Sequence, residues 1–207
     1  VFQNVGRPHI DVLIAGCGTG QHAIETAQRF VGASVLAVDL SLASLAYARR
    51  KTVALDRSNI EYAQADILKL GALGRTFDLI ESSGVLHHLA DPLAGWRVLL
   101  SLLRPGGFMM IGLYSEIARA EIVKTRAFIA ERGYQATAGD IRRCRQALIA
   151  GGREFSNVIA SVDFFSTSGC RDLLFHVQEH RFSIPEIARF IAQNGLAFVG
   201  FDLDHFS

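Results

Sequence analysis

The feature that most constrains the fold of this chain is the stretch from Asp11 to Asp39. An apolar run, Val12-Leu13-Ile14-Ala15, leads into Gly16-Cys17-Gly18-Thr19-Gly20, and a second run, Val35-Leu36-Ala37-Val38, ends on Asp39. A continuous apolar run is what a parallel strand covered on both faces requires. Between the two runs, Gln21 to Phe30 has helical spacing through Ile24 and Ala27, with Gly32 just beyond its end. The unit is therefore strand, glycine turn, helix, strand, acid. An acid at that distance suits hydrogen bonding to the hydroxyls of a bound ribose. A dinucleotide would call for Gly-x-Gly-x-x-Gly, yet Gln21 stands where that third glycine belongs and Gly20 comes one place early. Gly-x-Gly-x-Gly favours a nucleoside without a pyrophosphate.

The same alternation continues. Ser41 is placed to cap a helix running to about Leu55, and Ile60 to Ala63 reads as a third strand followed by Asp66. Phe77 to Ser83 is a fourth strand. Asp91 and Pro92 start a helix through Trp96 toward Leu103, Arg104-Pro105-Gly106-Gly107 turns the chain, and Phe108 to Leu113 is a fifth strand. Strands alternating with helices predict an α/β fold, a doubly wound and mostly parallel sheet with right-handed crossovers.

After Tyr114 the regularity breaks. The stretch 115–181, roughly 70 residues, exceeds any ordinary connector and predicts an inserted helical subdomain. A helix is expected from Glu116 to Arg132, and a second through Ala150 capped by Asp140. Phe155, Phe164, Phe165 and Phe175 lie near His176, Glu179 and His180, a mixture that suits one wall of an acceptor pocket. The alternative is a packing or homodimerisation module whose phenylalanines fill its own core. His176 and His180, four apart, would share a face if helical. The sheet pattern resumes with a Ser183/Glu186 capping box, and Ala197 to Leu203 reads as a sixth strand. The expected division is thus 1–114 with 182–207 as the ligand-binding domain, and 115–181 as a lid or acceptor-binding insertion. Val1 to Pro8 is read as a lead-in or a flap over the ligand.

Composition excludes several classes. Half of the 207 residues are hydrophobic, which is incompatible with disorder, and the formal net charge of +1 supplies no bulk attraction to nucleic acid or membrane. No apolar run nears the roughly 20 residues of a membrane span. Three scattered cysteines form neither a disulfide framework nor zinc spacing, so no metal is expected, and a reducing cytoplasm is the expected setting.

Taken together these stretches resemble class I S-adenosylmethionine-dependent methyltransferases. The resemblance rests on Gly16, Gly18 and Gly20, on Asp39 and Asp66, on Phe77-Asp78-Leu79-Ile80, on Gly84-Val85-Leu86-His87-His88-Leu89-Ala90-Asp91-Pro92, and on Leu103-Arg104-Pro105-Gly106-Gly107, in the family's order over residues 10 to 114. It implies a Rossmann-like fold with S-adenosyl-L-methionine as cofactor and strand order 3-2-1-4-5-7-6. Gly16, Cys17, Gly18, Thr19 and Gly20 would line the methionine and sugar portions, Asp39 and Leu40 the ribose side, Asp66 the adenine amine with Ile67 beside the ring, and Ser82 and Ser83 the sulfonium. The family often carries an acid two residues before its first glycine, where this chain has Ile14. Its seventh strand would lie beyond Ser207 or come from another segment. Similar domains form parts of larger bacterial helical-repeat proteins, so the chain is read as part of a longer one.

Methyl transfer asks for alignment and exclusion of water, and for a base only when the acceptor's proton is held tightly. The candidate bases are His87, His88, Tyr114, His176 and His180. A small-molecule acceptor is expected, since there is no Asn-Pro-Pro-Tyr-type stretch, no Pro-Cys pair and no basic excess to mark a nucleic-acid enzyme. The competing readings are a methyltransferase acting on protein or nucleic acid, and a non-catalytic module that binds the cofactor.

Overall fold

In a computed structural model, which describes residues 9–202, the chain divides into two compact units, 1–113 and 114–207. The expectation for Val1 to Pro8 lies outside the described residues.

The first unit is a five-stranded, all-parallel sheet in the order β3-β2-β1-β4-β5. Its strands are β1 (Asp11–Ala15), β2 (Ser34–Asp39), β3 (Ile60–Gln64), β4 (Phe77–Ser83) and β5 (Leu103–Gly112), and its helices are α1 (Gln21–Arg29), α2 (Leu42–Ala54) and α3 (Pro92–Ser101). Right-handed crossovers moving one way from β1 put α1 and α2 on one face, and the reversal at β4 puts α3 on the other. The packing agrees. Ala23 and Ala27 of α1 and Leu45 of α2 share a core cluster with Val12, Ile14, Val35, Ala37 and Leu79, while α3 packs on the 3-10 segment Ile67–Ala72. Ser41 and Asp91 cap α2 and α3 as expected, accepting from the N–H groups of Ser44 and Ala94. β5 begins five residues earlier than the sequence suggests. Leu103 already pairs with Phe77, and the Arg104–Gly107 stretch is an irregularity within the strand before Phe108 rejoins Leu79.

Arg104 has a structural use at this bulge. Its guanidinium pairs with Asp78 of β4 and, at 2.7 Å, with Asp11 of β1, while Asp78 also accepts the Asp11 N–H at 3.0 Å. Three strands are thereby clasped at their N-terminal ends. The carboxyl ends, where open α/β sheets take their ligands, lie at the other end of the sheet.

The second unit is helical: α4 (Ala120–Glu131), α5 (Ala138–Gly151), α6 (Ser156–Ile159), α7 (Thr167–Phe175) and α8 (Ile184–Gln193). Its core gathers Ile122 and Ile129 of α4, Ile141, Cys144 and Leu148 of α5, and Phe155, Val158, Phe164, Cys170, Leu173 and Leu174. Two expectations change here. α5 is capped by Thr137, whose hydroxyl accepts the Asp140 N–H; Asp140 sits inside the first turn and favours it electrostatically. Residues 197–202 do not form the sixth strand. Phe198, Val199 and Phe201 are exposed, and the only strand pairing among the described residues of this unit is a single parallel bridge between Ser115 and Phe182, so the apolar run finds no edge to join. The capping box at the start of α8 is as expected, with the Ser183 N–H donating to the Glu186 carboxylate at 2.7 Å.

Candidate functional site

The carboxyl ends of β1, β2, β4 and β5 surround a cleft of about 620 Å³, with Gly16, Cys17, Gly18 and Thr19 on one side, Asp39 at the end of β2, and Ser83, Gly84, Val85 and Met110 opposite. The glycines make the loop possible. At φ +86° Gly16 packs so closely on Val85 that an added Cβ would lie 2.2 Å from a methyl carbon, whereas at Gly18, φ +51°, a Cβ would meet nothing within 4 Å. One glycine closes the loop on the protein and the other leaves backbone open to a ligand.

Asp39 organises this loop. Its Oδ2 accepts the Gly18 N–H at 2.8 Å and its Oδ1 accepts the Ser41 N–H at 2.8 Å. Each oxygen keeps a further lone pair for a hydroxyl. A second hollow, about 500 Å³, adjoins β2 at Leu40 and is lined also by Ala65, Asp66, Leu70 and Leu73. Asp66 caps the 3-10 segment through the Leu68 N–H at 3.0 Å on Oδ1, as a turn acid does, and faces this hollow as well. The glycine loop, Asp39, Leu40, Asp66 and Ser83 are therefore brought to one edge of the sheet.

Other predicted residues are placed elsewhere. Ile67 is buried, its Cγ2 within 3.7 Å of a Cβ added at Gly95 of α3, so its side chain serves the core rather than either hollow. Ser82 is buried and donates to the Ala15 carbonyl at 2.9 Å, tying β4 to β1. His87 is 0 % exposed in a 3-10 turn, edge-on to His88, which is half-buried; burial keeps His87 from touching an acceptor in this conformation. Cys17 lines the cleft, but burial and the Asp39 charge push its thiol up to about 12, which disfavours the thiolate.

The bases expected in the second unit are corrected more strongly. α7 ends at Phe175, so His176 and His180 do not share a helix face; the His176 ring accepts the Gln178 N–H and the Gln178 amide lies 3.4 Å from His180. Glu179 serves neither histidine. Its side chain is 4 % exposed and is gripped by Arg119 and Arg126; burial pushes its carboxyl up, and the arginines outweigh that and hold it below the ordinary value. Arg119 also lies over the Tyr114 ring, at 3.9 Å from its centre, and burial raises the Tyr114 hydroxyl. Phe155 and Phe164 are buried in the unit's own core, with Phe175 packed against it and Phe165 exposed. Among the described residues no cluster of His, Cys, Asp and Glu could hold a metal.

Sequence reasoning missed His22 and Glu25 on the cleft wall, and Glu81 behind it. Glu81 is 2 % exposed and accepts from Thr26 Oγ1 at 2.6 Å, with His22 Nε2 3.1 Å away. That hydrogen bond raises the His22 pKa against the opposing effect of its burial. The helical spacing of 22, 25 and 26 after the glycine loop was the available signal.

Residues 12–107 match the model of a methyltransferase domain family. The chain is 35% identical to an uncharacterised protein of Synechococcus over 95% of its own length and 49% of that protein's. It is 38% identical to trans-aconitate 2-methyltransferase of Deinococcus radiodurans over 51% of this chain and 38% of that one, and 34% identical to tRNA 5-carboxymethoxyuridine methyltransferase of Escherichia coli over 56% and 44%. The chain thus spans about half the length, or less, of these relatives. A solved structure of PKMT2 from Rickettsia typhi in complex with AdoHcy superposes with a TM-score of 0.74 at 19% identity, over 92% of this chain and 39% of that one, a likeness of fold.

Proposed function

We propose that the chain is, by its first unit, a class I S-adenosylmethionine-dependent methyltransferase that transfers the methyl group of S-adenosyl-L-methionine to a small-molecule acceptor, a reading supported by the methyltransferase-domain match over residues 12–107. The observation that carries the reading is the loop joined to Asp39: a glycine backbone open to a ligand, hydrogen-bonded to the carboxylate that ends β2, at the ligand-binding edge of a parallel sheet.

The residues fit the cofactor. Asp39 would hold the ribose hydroxyls, the backbone of Gly16 to Gly20 would face the methionyl portion, and Asp66 with Leu40 and Leu73 would frame the adenine. When bound, the cofactor supplies an electrophilic methyl on a sulfonium, so the chain's own task is to bind, align and exclude water. Where an acceptor proton has to be removed, His88 is the member of the predicted set that remains in the first unit and is not fully buried. We assign acceptor recognition to the helical segment 115–181. The net charge of +1 favours small molecules over nucleic acid, and the tRNA-directed relative is the reason to test both.

The experiment is calorimetry with S-adenosylmethionine, S-adenosylhomocysteine and NADH, followed by turnover on a panel of small carboxylates, amines and phenols beside unmodified tRNA. Binding of the two sulfur nucleosides, none of NADH, and turnover confined to small molecules are expected. Tight NADH binding alone overturns the cofactor, transfer to tRNA overturns the acceptor class, and binding without any turnover favours a non-catalytic module.

A further inference from the structure

Where the family resemblance leads to an acid on the first strand, this chain has Ile14, and the register shows what stands beside it. Ile14 of β1 pairs with Glu81 of β4, so the two side chains are neighbours on the face of the sheet covered by α1. The carboxylate is thus present one strand over. A carboxylate 2 % exposed inside a sheet is costly unless it is hydrogen-bonded, and here Thr26 and His22, four apart on α1, both reach its Oε2.

The shift changes what the cleft receives. A carboxylate on β1 would offer an acceptor to a ligand. Glu81 instead spends its charge on His22, and His22, with its side chain 28 % exposed, forms part of the cleft wall. With Nε2–H donated to Glu81, Nδ1 gains its own proton only in the imidazolium, a form the Glu81 bond favours, and the ring is then a charged donor. The start of α1 points the same way. α1 starts at Gly20 with no side-chain cap and no acid in its first turn, so its N-terminal N–H groups and dipole add to the attraction for an anion. Glu25, the other ionisable side chain of α1 on this wall, accepts from the Gln21 amide at 2.9 Å.

We propose that His22, held by Glu81, binds the carboxylate at the amino-acid end of the cofactor. The inference rests on the cofactor reading above. His22 is a specificity residue and Glu81 its positioning residue.

The test compares S-adenosylmethionine with its decarboxylated form, which keeps the sulfonium and the amine and lacks only the carboxylate. In calorimetry the unaltered protein is expected to prefer S-adenosylmethionine by about tenfold or more, as a charge-assisted hydrogen bond implies. His22→Ala should lower its affinity for S-adenosylmethionine to that for the decarboxylated form, while affinity for the latter stays within about twofold. His22→Gln, which can still donate to Glu81, should give the same loss and serves if the alanine variant fails to fold. Glu81→Gln should narrow the preference without abolishing binding. A His22 variant that keeps the preference, or loses both ligands equally, overturns the proposal, as does an unaltered protein that binds both alike. An unaltered protein that binds neither overturns the cofactor reading itself.

Discussion

The two units use charge in opposite ways. In the sheet unit, acids collect at the carboxyl edge: Asp39 ends β2 and Asp66 follows β3, each tied to backbone N–H groups yet retaining oxygens for a ligand. In the helical unit the principal charge cluster is turned inward, with Arg119 and Arg126 closing on Glu179 while Arg119 covers Tyr114. A group that faces a ligand has to keep hydrogen-bonding capacity in hand, whereas a group that holds a fold together has to use it up. By that measure the acids of the first unit are left open to a ligand, and the cluster in the second is structural.

The comparison breaks most visibly if the greater part of the second unit, 115–181, is removed. Replacing 115–181 by a short glycine-serine linker should leave cofactor binding within a few-fold, because the residues proposed to carry it lie before Tyr114, while acceptor methylation falls below detection. Retained methylation at a similar rate would show that the acceptor is read elsewhere, and lost cofactor binding would show that the two units are not separable in the way proposed.

Glu179→Gln should destabilise the protein by about 3 kcal/mol in urea unfolding, since it leaves two arginines facing a neutral partner in a buried setting. The linked pH effect has a definite sign. The Glu179 pKa is depressed in the folded state, so its contribution is full above the ordinary glutamate value of 4.5 and is lost as pH falls through the folded value. Acid should therefore destabilise the unaltered protein more than the variant. An identical acid response in both would remove Glu179 from the account.

Asp39→Ala should weaken S-adenosylhomocysteine binding by about 2 kcal/mol, the loss of charge-assisted hydrogen bonds to ribose together with the Gly18 anchor. An unchanged dissociation constant in a folded variant would take Asp39 out of the site. Asp66→Ala should cost less than about 1 kcal/mol, because water readily replaces a carboxylate at an open edge. A larger loss than at Asp39 would invert the assigned roles of the two hollows.

Much of the first unit was legible because its signals are local. The apolar runs became buried strands, the glycine spacing a loop, and Ser41 and Asp91 caps. The order of the strands came with the family resemblance, and register told more than either: nothing local announces that Glu81 stands beside Ile14, since parallel pairing joins residues far apart in sequence. The second unit was less legible for the same reason. His176 and His180 have helical spacing, but α7 stops at Phe175, and Glu179 beside them is claimed by arginines more than fifty residues away. Ala197 to Leu203 has the composition of a strand, and composition does not supply an edge to pair with.

The clasp of Arg104 on Asp11 and Asp78 has a kinetic side. Its partners are 93 and 26 residues distant along the chain, so it can close only when β1, β4 and β5 are already aligned. Contacts made that late contribute little to the barrier the chain climbs while folding and much to the one it climbs while coming apart. Arg104→Ala should therefore leave the refolding limb of a chevron plot in place and raise the unfolding limb. The end of the sheet remote from the cleft would then set how long the cleft lasts.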